Sequence, residues 1–184
     1  VTEKLSIQRC ITDILKKESK IDILINNAGV GITGPLEEIP TSEINKHFQI
    51  NVFGPILLIK EVLPSMKSSK NGVIINITSV AGQIATPFRS IYSGGKAALE
   101  IISETLAMEV RSLGIDVVSI APGDFKTNIS KRRFHSPVTD KSDYKSYAKS
   151  LKKINLGVNK GSDPKKIAKL VSAILIKRSP RIRY

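Results

Sequence analysis

The chain has 184 residues, 41% of them hydrophobic and 24% charged, and its 29 Lys and Arg outnumber 16 Asp and Glu to give a formal net charge of +13. This composition supplies one buried core, excludes a wholly disordered chain and sets the expectation of a single domain. A lone cysteine rules out an internal disulfide and a cysteine metal cluster, the two histidines (His47 and His135) lack ligand-like spacing so that no metal is expected, and no run of about 18 apolar residues offers a membrane span.

In chain order, residues 3–19 carry Leu5, Ile7, Ile11, Ile14 and Leu15 at helical spacing. Cys10 lies in this amphipathic stretch and reads as a small buried apolar side chain. The β-branched run 21–25 reads as a buried strand, and the Gly-, Asn- and Pro-rich stretch 26–40 as a loop. A long helix is expected over 41–68, bent or divided by Pro55 and Pro64. Past the Asn71-Gly72 turn, residues 73–77 form a second strand, followed by a loop over 79–89 and a helix over 90–113 that ends at Gly114. Residues 115–120 make a third strand, closed by Pro122-Gly123. A polar basic loop is expected over 125–140, then helices near 141–155 and 164–177, the latter with Asp163 as N-cap and Pro164 in its first turn.

Alternation of helices with continuously apolar strands predicts an α/β fold, a parallel sheet covered on both faces. Ligands of such sheets bind at the carboxyl ends of the strands. The polar clusters fall there: Asn26-Asn27 after the first strand, Ser79 after the second, Pro122-Gly123 after the third.

Gly29, Gly31 and Gly34 spell G-x-G-x-x-G, but Pro35 follows and the next helix starts near Thr41. A dinucleotide turn must open directly into a helix whose N-terminus meets the pyrophosphate. The segment is therefore not read as a pyrophosphate site.

Tyr92 and Lys96 form Y-x-x-x-K on one helix face. A cation beside a phenol stabilises the phenolate, and a tyrosine so poised can donate or accept the proton that accompanies carbonyl reduction or alcohol oxidation. A hydroxyl at Ser79 can hold a reacting oxygen. Asn51 sits in an otherwise apolar helical stretch, where its amide needs partners.

Taken together, Asn26-Asn27-Ala28-Gly29, Asn51, Ser79, Tyr92-Ser-Gly-Gly-Lys96 and Pro122-Gly123-Asp-Phe-Lys-Thr127 resemble the classical short-chain dehydrogenase/reductase family in order and spacing. The resemblance spans nearly the whole chain. It implies a Rossmann-like, doubly wound parallel sheet and an NAD(P)-dependent oxidoreductase acting on a small alcohol or carbonyl. It also implies the roles: Tyr92 as catalytic acid/base, Lys96 lowering its pKa and bonding the nicotinamide ribose, Ser79 positioning the substrate oxygen, Asn51 holding a water of a proton relay. Asn27, Ala28 and Gly29 would line the cofactor near the adenosine ribose, and Pro122, Gly123 and Thr127 its nicotinamide end. Pro180 to Tyr184 resembles the approach to a last strand in steroid- and retinoid-type members. A homo-dimer or tetramer and a cytoplasmic location are further expectations for the full-length protein.

The family's T-G-x-x-x-G-x-G turn does not occur here, and only 25 residues precede Asn26. The expectation is thus a partial Rossmann-like domain over 1–184, the catalytic half, with the first three strands and the Gly-rich turn outside the chain. The strand over 21–25 would then be a bare edge, and the chain alone is expected to be poorly soluble or to bind NAD(P) weakly. Residues 124–160 would form the family's mobile substrate lid, whose basic run Lys126, Lys131, Arg132 and Arg133 suits an anionic substrate. Two rivals stand: a catalytically inactive member acting as a binding or dimerisation module, and a basic nucleic-acid binder. Only charge supports the second, since the chain has 5% aromatic residues and no Trp, and no nucleic-acid partner is expected.

Overall fold

The β-branched runs pair as parallel strands because the helices between them carry the chain back across the sheet. In the computed structural model, which describes residues 1–138 and 143–184, strands β1 (Ile23–Asn26), β3 (Gly72–Ile77) and β4 (Ile115–Ile120) form a parallel sheet in the order β1-β3-β4. Ile25 pairs with Ile75, and Ile75 with Val118. Helices α1 (Lys4–Glu18), α3 (Gly54–Ser69) and α4 (Ser90–Val110) cover one face, where Ile7, Ile11, Ile59, Val62, Met66, Ala107 and Val110 pack on Ile74 and Val117. Helix α7 (Lys165–Leu175) covers the other face, with Ile174 on Ile75, Val118 and Ile120. Neighbouring residues of each strand point to opposite faces, so both faces need an apolar layer, and the continuous apolar runs follow from that.

The free side of β4 takes up the end of the chain. Ser119 and Ala121 donate to Ile182 O and Tyr184 O, both at 2.8 Å, and Tyr184 N returns to Ser119 O at 3.0 Å. The expected last-strand approach is therefore a parallel bridge to β4, and Arg183 fastens it to α4 through Glu104.

Helix α2 (Thr41–Phe48) runs into α3 through a π-helical turn, Gln49–Phe53. The expected division thus falls just before Pro55, which sits in the first turn of α3, while Pro64 lies inside α3 without ending it. The loop over 26–40 contains the short strand β2 (Ile32–Thr33), and the expected loop over 125–140 contains helix α5 (Ile129–Arg132) and strand β5 (Phe134–His135). β2 and β5 pair in parallel, Ile32 with Phe134 and Thr33 with His135. The helix expected near 141–155 is α6, Tyr147–Lys160; its expected start at Lys141 lies outside the described residues. Helix α7 begins one residue past Pro164, and the Asp163 carboxylate caps it by accepting from Lys165 N at 2.8 Å. Gly114 ends the α4 region in the left-handed conformation at φ 76°. Cys10 corrects an expectation: it is exposed, because α1 turns Ile7 and Ile11 to the sheet and leaves Cys10 on its outer face.

Candidate active site

Helix α4 buries Tyr92, Lys96, Leu99, Ser103, Ala107 and Val110 along one face. Apolar members of this stripe pack on the sheet, and its first turns place Tyr92 and Lys96 at the carboxyl end of β3. Lys96 is 7% exposed. Its Nζ donates to the carbonyl of Ile77, the last residue of β3, at 2.7 Å. Burial lowers its pKa from 10.5 to about 8, so the side chain is still mostly an ammonium at neutral pH. Of the three donors of an ammonium, the Ile77 carbonyl uses one.

Ser79 lies just past β3 and starts the 3-10 turn Val80–Gly82, its Oγ accepting from Ala81 N at 3.2 Å. The hydroxyl proton is left to donate elsewhere. That turn presses on α4: a Cβ added at Gly82 would stand 2.8 Å from Ala97 N and 2.9 Å from Lys96 C. Glycine at this position sets the spacing between Ser79 and the Tyr92–Lys96 face, a constraint invisible in the sequence without the fold.

Asn51 occupies the π-helical turn, a local widening often found at functional sites. Its amide takes both backbone groups of Val30, Nδ2 donating to Val30 O at 2.9 Å and Oδ1 accepting from Val30 N at 3.0 Å. The second Nδ2 hydrogen faces His47 Nδ1 at 2.8 Å. Because Val30 fixes the amide orientation, the network assigns His47 Nδ1 as acceptor. Burial, and next the Lys96 charge, lower the His47 pKa from 6.5 to about 4, so the imidazole is neutral. Gly29 closes this corner: a Cβ there would lie 2.7 Å from Asn51 Oδ1 and 3.8 Å from Lys96 Nζ.

Tyr92 is 7% exposed and packs with Ile32 and Ala81. The Arg89 guanidinium carbon sits 4.5 Å over its ring, and the His47 ring centroid is 5.9 Å away. Four expected residues, Asn51, Ser79, Tyr92 and Lys96, are thus gathered with Gly29 at the ends of β1 and β3. Asn27, Ala28 and Gly29 are exposed along the loop after β1. Pro122 joins the group through its carbonyl, which accepts from Val80 N at 3.1 Å. A Cβ at Gly123 would meet nothing within 4 Å, so the floor beside Pro122 is open. Thr127 is exposed, and its hydroxyl accepts from Ile129 N of its own turn at 3.3 Å. Sequence reading missed His47, whose signal is its position one helical turn before Asn51, and Arg89, whose role appears only in three dimensions.

The Gly29–Gly34 glycines do not open into a helix. Gly34 N is spent on Phe88 O at 2.9 Å, and the chain continues through Pro35 and a short 3-10 turn before α2.

A family profile described as short chain dehydrogenase matches residues 1–137. The chain belongs to the short-chain dehydrogenase family. The relatives are named as reductases and dehydrogenases. The chain is 36% identical over 185 residues to the 3-ketodihydrosphingosine reductase of Bacteroides thetaiotaomicron, covering 100% of this chain and 69% of that protein. It is 32% identical to retinol dehydrogenase 8 of Bos taurus, covering 97% of this chain and 59% of the relative. A solved short-chain dehydrogenase from Streptomyces avermitilis superposes with a TM-score of 0.88 at 33% identity, over 100% of this chain and 66% of that one. The chain therefore spans about two thirds of the length of these short-chain dehydrogenases.

Proposed function

We propose that this short-chain dehydrogenase transfers a hydride between NAD(P) and an alcohol or carbonyl substrate, with Tyr92 as acid/base. One observation carries the reading: Tyr92 and Lys96 share a buried face of α4, and Lys96 holds its charge within the corner formed by Ile77, Gly29 and Asn51. A structural relative 26% identical to this chain, solved with NADP bound, supports a nicotinamide dinucleotide as the cofactor.

The residues present fit the nicotinamide-ribose half of such a group. Lys96 has donors to spare, Asn51 is held by Val30, and open space lies at Gly123. Bound there, with Asn27, Ala28, Gly29, Pro122, Gly123 and Thr127 along it, the dinucleotide would supply or accept the hydride. In the reducing direction Tyr92 gives its phenolic proton to the carbonyl oxygen as that carbon gains hydride; oxidation returns the proton to Tyr92. Ser79 donates a hydrogen bond to the same oxygen, and Lys96 stabilises the phenolate between turnovers. Asn51, clamped on Val30, holds the water that replenishes the proton. The substrate lid of the domain over 1–184 would be the segment 124–160, of which residues 139–142 lie outside the described residues. Exposed Ile101 and Met108 on α4 support a homo-dimer or tetramer.

The test is NAD(P)-linked turnover by the product of the whole open reading frame. Tyr92→Phe removes the transferable proton and is expected to lower kcat by about 10²–10⁴-fold. A variant within threefold of the parent would overturn the assignment. The second reading, a binding or dimerisation module without activity, is favoured by the exposed side of β1 and would then take its place.

A further inference from the structure

Of the basic run after β4, Lys126, Lys131 and Arg132 are exposed, whereas Arg133 is only 9% exposed. Its stem lies on Gly31, where an added Cβ would come within 3.0 Å of Arg133 Cγ. The β2–β5 pairing holds it there, Phe134 N donating to Gly31 O and Ser136 N to Thr33 O, each at 3.1 Å. For so buried a guanidinium its bonding is poor. Nη1 reaches Asn155 Oδ1 at 3.5 Å, the outer limit of a hydrogen bond, and among the described residues no carboxylate stands within ion-pairing distance. An ion removed from water without a counter-ion is costly.

A second cation stands beside it. Phe88 takes a left-handed backbone, φ 64°, rare for an aromatic residue, and the turn leads into Arg89, whose guanidinium carbon lies 4.5 Å over Tyr92. Arg89 and Arg133 feel each other's charge, and Tyr92 lies within the same field; burial and Arg89 push the Arg133 pKa down, while Tyr92, Tyr147 and a more weakly acting Asp124 oppose this. Alongside runs a cleft of about 200 Å³ whose lining includes Lys46, Lys131, Arg132, Arg133 and His47 against one acid, Glu43. Lys46 already bonds that acid at 3.4 Å. Arg133 thus lines a cleft with cationic walls and lacks a carboxylate partner among the described residues, while Arg89, within its field, lies over the tyrosine.

We propose that Arg133 and Arg89 form an oxyanion-binding pair, so that the preferred substrate carries a carboxylate or phosphate close to its reacting carbonyl. This rests on the reading of Tyr92 as the reacting centre. A guanidinium presents a planar fork of donors that matches either anion, and the bound anion would neutralise the repulsion between the two arginines. A cationic amino ketone would meet the opposite field.

The test uses the product of the whole open reading frame and four ketones of matched length: 3-oxooctanoate, its methyl ester, a 2-oxoalkyl phosphate and a 2-oxoalkyl amine. The acid or the phosphate is expected to exceed the ester by at least tenfold in kcat/KM, the better of the two identifying the anion, with the amine poorest. Arg133→Gln is expected to collapse the anion-to-ester ratio at least tenfold, Arg133→Lys to retain part of it, and Lys16→Gln, which removes an exposed charge on α1, to move it less than twofold. Arg89→Gln serves as the second variant should Arg133→Gln not fold. An ester preferred over both anions, or a ratio that Arg133→Gln leaves intact, overturns the proposal. Should no ketone turn over, the reading of Tyr92 fails separately, and calorimetric titration with octanoate and inorganic phosphate still decides the pair: binding weakened tenfold by Arg133→Gln upholds it, and equal or no binding overturns it.

Discussion

Inside the Asn51 hydrogen-bond set, His47 accepts at Nδ1, and its Nε2 edge leans on Gly95, where a Cβ would come within 2.7 Å. The ring is buried and its pKa is lowered from 6.5 to about 4. The unfolded chain therefore binds a proton between those values that the folded chain refuses, so stability is full above pH 6.5 and falls as the pH drops toward 4. The loss is on the order of 3 kcal/mol by pH 4. His47→Gln keeps an acceptor for the amide but does not titrate, and urea midpoints at pH 4.5 and 7 should draw together in that variant; equal acid sensitivity in parent and variant would exclude His47 as the cause. Residue types carried much of the candidate site at this scale. Tyr92, Lys96, Ser79 and Asn51 announce themselves because a polar group on an apolar face, or at a strand's end, must be satisfied or used. Arg89 and His47 did not, and Arg133 was legible only as one charge of a basic run, since a charge or an imidazole says nothing of which neighbours will desolvate it.

At the scale of elements, the apolar runs placed the three strands to within about two residues, β4 without error, because residues facing both sides of β3 and β4 pack on helices and their strands stay predominantly apolar. The short pieces escaped. α5 is a single turn closed on Asn128, too short for an apolar pattern, and β5 exists through bonds to Gly31 and Thr33, which no local reading contains. The π-helical turn was legible only as a conflict between Asn51 and its helix. Contact between the Val80–Gly82 turn and α4 is also non-local. Gly82→Ala would drive a methyl into the α4 backbone, 2.8 Å from Ala97 N, where no flexible side chain can yield. Overpacking of this kind costs about 1–3 kcal/mol. The turn should lift off α4, taking Ser79 from Tyr92, so kcat should fall more than the urea midpoint alone explains. Unchanged kcat with lowered stability would confine Gly82 to packing.

For the whole molecule, β1 pairs with β3 on one side, and among the described residues no strand takes the other. Ile23 and Ile25 point to the face that α7 covers over β3 and β4, yet they are 44% and 45% exposed, because that cover does not extend to β1. A free strand edge with adjacent apolar side chains is a template for pairing with another chain. The 184-residue chain, produced by itself, is therefore expected to enter aggregates. It should also bind NAD(P) more weakly than micromolar, since the glycines at 29, 31 and 34 offer no helix N-terminus to a pyrophosphate. Replacing Ile23 and Ile25 by Lys places two like charges on the edge and should raise the soluble fraction without raising nucleotide affinity, which separates the two deficits. Sedimentation with and without the substitutions measures the first, and calorimetric titration with NAD and NADP the second. A parent chain that sediments as a soluble monomer and binds either nucleotide at micromolar Kd would mean that the edge is harmless and that Lys96, Asn51 and the loop after β1 suffice to hold the cofactor.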